Sequence, residues 1–168
     1  MRNIYFYDTS IGRIGISEET GCIKEFFFEK DLSGENHPDQ ERYILLETPV
    51  LKEASIQLGE YLAGRRKNFE LPLAPEGTPF MREVWKCLGK IPYGQTNSYL
   101  HIAAAAGKPK ASRAVGMANN RNPIPVFIPC HRVIGSNGKL TGYRGGLDIK
   151  QKLLDIEKYH SDFVIPGN

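Results

Sequence analysis

Residues 98–119 read SYLHIAAAAGKPKASRAVGMAN, and this stretch decides the fold of the half of the chain around it. Ser98 is a good helix cap, and the run from Tyr99 to Ala106 carries no breaker. Gly107 marks the end of that helix, because glycine takes a left-handed cap without steric cost. Lys108-Pro109 is a tight connection, and a second short helix follows from about Ala111 to Asn119. Two short helices joined by a glycine-containing turn of three or four residues predict a helix-turn-helix.

Before this stretch, Thr78-Pro79 opens a helix that carries Phe80, Val84, Trp85 and Leu88 at helical spacing and stops before Ile91-Pro92-Tyr93-Gly94. After Asn122-Pro123 comes a mostly apolar stretch to Ile128-Pro129. Val133-Ile134, the Asn137-Gly138 turn and Lys139-Leu140 then predict a small hairpin, or wing. A helix from about Leu147 to Lys158 places Leu153, Leu154 and Glu157 on adjoining faces. Toward the N-terminus, Ile4–Tyr7, Ile11–Ile16 and Cys22–Phe28 alternate as strands and predict an antiparallel meander. Residues 31–42 read as a polar loop. Thr48-Pro49 predicts an N-cap and first helical turn, with the helix running through Leu62 to Gly64. Residues 68–77, with two prolines and a glycine, read as a linker. The expected fold class is α+β: an N-terminal domain of a small antiparallel sheet plus helix over residues 1–75, and a C-terminal winged helix-turn-helix domain over 76–168.

The 168 residues are 40% hydrophobic and 24% charged, which excludes a disordered tail, a coiled coil or a collagen-like chain. No apolar run approaches the roughly 18 residues of a membrane span. The first eight residues end in Asp8 and offer no small-residue cleavage site, so no signal peptide is expected. Charge is segregated. Residues 1–75 hold 9 Lys and Arg against 13 Asp and Glu, whereas residues 76–168 hold 13 against 6. From Val84 to Leu147 there are nine basic residues and no acid, so an acidic polymer, nucleic acid first, is the expected partner.

Three cysteines, Cys22, Cys87 and Cys130, show no paired spacing, which argues against a disulfide scaffold and for a reducing compartment. Cys22 and Cys87 read as small core hydrophobes. Cys130 lies between Pro129 and His131-Arg132 inside the acid-free region, where cations and an imidazole favour the nucleophilic thiolate. A buried cysteine beside a chance histidine is the plainer alternative. The residues also allow a winged helix-turn-helix regulator that senses alkylation or oxidation at Cys130, or a cysteine hydrolase using Cys130 and His131. The last is disfavoured, because adjacent Cys and His seldom suit such a pair and no oxyanion loop is visible.

Pro129-Cys130-His131-Arg132-Val133 strongly resembles the active-site signature of the O6-alkylguanine-DNA alkyltransferases, also called methylated-DNA–protein-cysteine methyltransferases. The resemblance extends in order through Ile91-Pro92-Tyr93-Gly94, Ser98-Tyr99, Arg113-Ala114-Val115-Gly116, Asn122-Pro123, Gly142-Tyr143, Gly145-Gly146, Lys150, Leu153-Leu154 and Glu157. It covers roughly residues 78–158. The N-terminal half is similar only in length and coarse strand–helix pattern, for which the family implies a ribonuclease H-like domain.

The resemblance implies direct repair of O6-alkylguanine, and of O4-alkylthymine, by irreversible and stoichiometric transfer of the alkyl group to the protein's own cysteine. Attack at an sp³ carbon needs a soft, strong nucleophile, and Cys130 takes that place. His131 would act through a water as base, and Glu157 would hold the imidazole. Without the resemblance, Glu157 reads as a helix-surface residue. Tyr99 would hydrogen-bond the base at N3, the backbone N–H of Arg144 would face O6, and the carbonyls of Cys130 and Val133 would receive the exocyclic amine. Tyr143 would wall the pocket; by type alone Tyr99 and Tyr143 are core aromatics. Asn122 would bridge the helix-turn-helix to the active-site turn. Arg113 matches an arginine finger that fills the stack vacated by a flipped base. Ala111, Ala114 and Gly116 would let the helix approach the minor groove. Ser98 joins the expected DNA contacts, and Lys108, Lys110 and Arg121 would meet phosphates. The expected protein is a cytoplasmic monomer acting on double-stranded DNA, with no membrane, cofactor or metal. The N-terminal region offers only Cys22 and His37 toward a structural zinc, too few for four ligands.

Overall fold

The computed structural model describes residues 1–33 and 38–162. His37 lies outside the described residues. The chain divides into two compact units, Met1–Glu76 and a second that begins at Gly77.

In the first unit, β1 (Arg2–Thr9), β2 (Gly12–Glu19) and β3 (Cys22–Phe27) form the expected antiparallel meander. The meander is not the whole sheet. A short strand β4 (Tyr43–Leu45) adds to the free edge of β1 in parallel, giving the order β3-β2-β1-β4. The segment expected to be all loop also contains two single turns of 3₁₀ helix, Glu29–Leu32 and Gln40–Arg42. Helix α1 (Pro49–Leu62) buries Leu51, Ala54, Leu58 and Tyr61 against the sheet, on the apolar side supplied by Ile14, Ile16, Ile23 and Phe26. Thr48 holds the N-cap position in extended conformation, but its side chain makes no capping hydrogen bond, so Pro49 alone supplies the start signal. The expected linker is pinned to the sheet. Ile23 N–H donates to the Pro72 carbonyl at 2.8 Å, and Ala74 N–H to the Ile23 carbonyl at 2.9 Å.

The second unit is built around three short helices: α2 (Pro79–Leu88), α3 (Tyr99–Ala105) and α4 (Ser112–Asn120). Thr78 caps α2 by accepting from Met81 N–H, and Ser98 caps α3 by accepting from His101 N–H at 3.1 Å. Gly107, at φ +78°, makes the left-handed stop that the sequence announces. The three helices pack on one another, with Val84, Trp85, Leu88, Ile102, Ala103, Val115 and Ala118 buried between them. Trp85 fixes α4 directly: its indole Nε1–H donates to the Ala118 carbonyl at 2.8 Å.

The expected wing is only half formed. Its first strand, β6 (Val133–Ile134), pairs in parallel with β5 (Asn97–Ser98), not with a return strand at Lys139-Leu140. The turn itself closes locally, through Gly135 N–H to the Lys139 carbonyl and Gly138 N–H to the Gly135 carbonyl. Two residues are too short a strand to hold a hairpin by themselves, and β5 takes their hydrogen bonds instead. Helix α5 (Leu147–Asp162) ends the described chain. Among the described residues no helix is long and apolar enough to cross a membrane.

Replacing Trp85 by Phe keeps an aromatic side chain but removes the donor to Ala118 along with part of the ring volume. The buried carbonyl is then left without its partner, which costs about 1–3 kcal/mol. Denaturant unfolding should show a lower midpoint with little change in slope; an unchanged midpoint would mean that this bond does not anchor α4.

Candidate active site

Two short parallel strands set the site. β6 leaves a single 3₁₀ turn, Cys130–Arg132, and β5 enters α3 at Tyr99, so the pairing of Asn97 with Val133 brings these two chain segments side by side. The approach to the turn is tied by side-chain amides. Asn122 Nδ2 donates to the Ile128 carbonyl at 2.9 Å, while its Oδ1 accepts from Ile124 N–H at 3.0 Å. Inside that loop Val126 sits at φ 74°, a conformation that costs a β-branched residue on the order of 1–3 kcal/mol. Cys130 N–H then donates to the Ile128 carbonyl at 2.8 Å. From α4 itself, Asn119 Nδ2 reaches the Cys130 carbonyl at 3.4 Å, a bridge that the sequence reading missed.

Cys130, His131 and Arg132 are all buried, and so is Glu157 on α5. Glu157 is therefore not a helix-surface residue. One of its oxygens lies 2.6 Å from His131 Nε2. The carboxylate also accepts from Arg132 Nε at 2.8 Å, Arg132 Nη2 at 3.0 Å and Gly94 N–H at 3.1 Å. Burial alone would raise its pKa, but the His131 and Arg132 partners outweigh burial and hold it at about 2. His131 moves the other way. Burial lowers its pKa against the pull of Glu157, so the ring is neutral beside an ionised carboxylate. With Nε2–H donated to Glu157, the proton-accepting nitrogen of the neutral ring is Nδ1. For the thiol the local expectation needs correcting. Desolvation pushes Cys130 above the ordinary thiol range, and the Asn122 hydrogen bond with the charges of Arg144 and Lys150 offsets only part of this. At rest Cys130 is a protonated, buried thiol.

The other expected residues fall into three places. Tyr99 and Thr141 share a hydrogen bond between their hydroxyls. Tyr143 and Arg144 lie half-buried on the loop before α5, where Arg144 Nη1 donates to the Asn122 carbonyl at 3.1 Å. Val133 is buried, and its carbonyl accepts from Lys150 Nζ at 2.7 Å. Arg113, Ala114 and Lys110 are exposed on or just before α4, away from the packed face of Val115 and Ala118. Ser98 is committed to capping α3.

Arg132 and Lys150 are buried polar side chains of this region to which sequence reasoning assigned no hydrogen-bonding role. The signal was the α5 stripe Lys150, Leu153, Glu157, whose one-face spacing marks all three as inward-facing. No group of three or more His, Cys, Asp or Glu among the described residues is arranged to hold a metal ion.

Comparison with known proteins adds to this geometry. Residues 79–159 match the profile described as 6-O-methylguanine DNA methyltransferase, DNA binding domain, and residues 4–75 match its ribonuclease-like domain. The chain belongs to the 6-O-methylguanine DNA methyltransferase family. The methylated-DNA–protein-cysteine methyltransferase of Methanosarcina acetivorans is 62% identical over 151 residues, covering 90% of this chain and 95% of that protein. The constitutive family member of Bacillus subtilis is 51% identical over 156 residues, with 90% and 92% covered. Among solved structures, Mycobacterium tuberculosis OGT in complex with DNA superposes with a TM-score of 0.86 at 38% identity, over 94% of each chain. The family thus spans both units, including the N-terminal one, for which sequence motifs were weakest.

Acid should weaken this family member through the buried pair. A histidine whose folded pKa is depressed takes up its proton preferentially in the unfolded chain, so stability falls as pH drops below about 6.5. Glu157, held at about 2, contributes stability that is full above the unfolded value near 4.3 and is lost as pH falls toward about 2. Glu157→Gln removes the counter-charge of buried Arg132, a loss of about 3–5 kcal/mol. Urea unfolding at neutral pH should show that loss, and the melting curve between about pH 4 and 2 should flatten; a variant as stable and as acid-sensitive as the parent would contradict this assignment.

Proposed function

We propose that this chain repairs double-stranded DNA by moving the alkyl group of O6-alkylguanine, and of O4-alkylthymine, onto Cys130, once per molecule. The observation that carries the reading is the buried Cys130 turn, with His131 locked onto Glu157, in a chain of this family. The thiol proton leaves through a water to His131, whose growing charge Glu157 stabilises. The thiolate attacks the alkyl carbon, a carbon–sulfur bond forms, the carbon–oxygen bond breaks, and its electron pair stays on the guanine. Tyr99 donates to N3 as that charge builds, and the backbone N–H of Arg144 faces O6. The carbonyls of Cys130 and Val133 take the exocyclic amine. Tyr143 walls the pocket.

The target lies inside a duplex, so the base is flipped out at a cost of a few kcal/mol. The exposed face of α4 meets the minor groove: Ala114 permits close approach, Arg113 enters the vacated stack, and Lys110 contacts phosphate. Asn122 links that helix to the reacting turn. The protein acts as a monomer in the cytoplasm and uses no cofactor.

Duplex carrying labelled O6-methylguanine should leave its label on the protein, and Cys130→Ser should abolish labelling while duplex binding persists. Transfer near the parental rate in Cys130→Ser would show that another thiol reacts. Arg113→Ala should slow repair of duplex by more than it slows reaction with free O6-benzylguanine, which needs no flipping. Equal losses on the two substrates would remove the finger role.

A further inference from the structure

Tyr99 and Thr141 meet through their hydroxyls, and each is held from a different direction. The root of Tyr99 is set by the β5–β6 ladder, where Ser98 pairs with Ile134. Thr141 is held by its own carbonyl, which accepts from Lys150 Nζ at 3.1 Å. That same ammonium donates to the Val133 carbonyl at 2.7 Å, and Lys150 is fully buried. The two hydroxyls are thus presented to each other by the backbone. Their bond is not an accident of two flexible side chains.

A pair of hydroxyls has two polarities. If Tyr99 gives its single proton to Thr141, the phenol offers a ligand only lone pairs. If Thr141 donates instead, the phenol proton is free for an outside acceptor, and accepting a bond makes it a better donor. The choice between the two depends on what the ligand presents.

We propose that Thr141 is a positioning residue that aims and polarises the Tyr99 hydroxyl, so that the pocket selects bases whose ring edge carries an unprotonated acceptor nitrogen. The proposal rests on the repair reading above, in which Tyr99 faces N3 of the flipped base. Binding of a purine with a free N3 turns the pair to the polarity in which Thr141 donates. Charge building on the base then meets a hydrogen bond already formed. Thr141 touches neither the alkyl group nor Cys130 in this scheme, and its effect passes through Tyr99.

The test uses the intact protein, single-turnover kinetics, and two duplexes carrying either O6-methylguanine or its 3-deaza analogue, in which N3 is replaced by C–H. Thr141→Val keeps the shape and removes the hydroxyl; Thr141→Ser keeps the hydroxyl. Thr141→Val should lower the saturating rate constant on O6-methylguanine by about fivefold, as the loss of one ordinary hydrogen bond predicts. The concentration for half-saturation should change little. Thr141→Ser should return the rate to within about twofold of the parent, since the bond is restored. On the 3-deaza duplex, parent and Thr141→Val should react alike, and in a Tyr99→Phe background the substitution should have no further effect. Equal loss on both duplexes, or loss persisting in Tyr99→Phe, would make Thr141 merely structural and overturn the proposal. Normal rates in Thr141→Val overturn it too, while leaving the repair reading intact. A parent protein that takes no methyl group from either duplex overturns the repair reading and this proposal with it.

Discussion

The Glu157 carboxylate is buried, and water cannot solvate it; four protein donors do so instead, one from His131, two from Arg132 and one from Gly94. An unpaired carboxylate there would be prohibitively expensive. That requirement draws three separate pieces of chain together: α5, the Cys130–Arg132 turn, and the Ile91–Gly94 segment, to which Arg132 Nη1 also donates at the Ile91 carbonyl, at 2.7 Å. Arg132 stacks its guanidinium 5.8 Å from the Tyr93 ring centroid at the same junction. The fork geometry of arginine matters here, because lysine could not satisfy both carboxylate oxygens in one plane. The same contacts that assemble the C-terminal unit therefore also orient the His131 imidazole.

Burial has a second consequence, for the Cys130 thiol. A desolvated thiol above its ordinary pKa is almost wholly protonated at neutral pH, and protonated thiols react slowly with oxidants and alkylating agents. The same unit holds a neutral imidazole with an ionised carboxylate behind it, and the charges of Lys150 and Arg144 act on the thiol. If the cysteine is spent once, as proposed, a resting thiol protected from adventitious chemistry is a physical advantage. The scheme asks a correctly placed substrate, not the bare environment, to draw out the thiolate.

Local signals made much of this legible in the sequence. The helix-turn-helix was readable almost to the residue because Ser98 and Gly107 act on their immediate neighbours, and their effects do not depend on tertiary context. The meander was readable for the same reason. What escaped depended on distant partners. β4 is three residues long and is held by a parallel pairing with β1 that no local pattern announces. Residues 72–74 look like a linker until Ile23 supplies their hydrogen bonds. In the site, Cys130, His131 and Glu157 were named through the ordered motif, and the structure joins His131 to Glu157 at 2.6 Å. Arg132 and Asn119 were not assigned, because their partners lie 25 and 11 positions away and each could as well have been a surface contact. The thiol's protonation ran opposite to the local reading, since nine basic residues in sequence count for less than full desolvation in space.

Under the proposed function, Cys130 accepts one alkyl group and keeps it. The product would be a thioether, whose carbon–sulfur bond has no good leaving group. None of the expected machinery supplies an acid to break it. The direct measurement is to mix protein with excess methylated duplex, count methyl groups lost from DNA against time, and weigh the peptide that contains Cys130. The account predicts a plateau at about one methyl per protein, with all of the added mass on that peptide and none on those holding Cys22 or Cys87. Steady loss of several methyl groups per molecule, or mass on another cysteine, would contradict it.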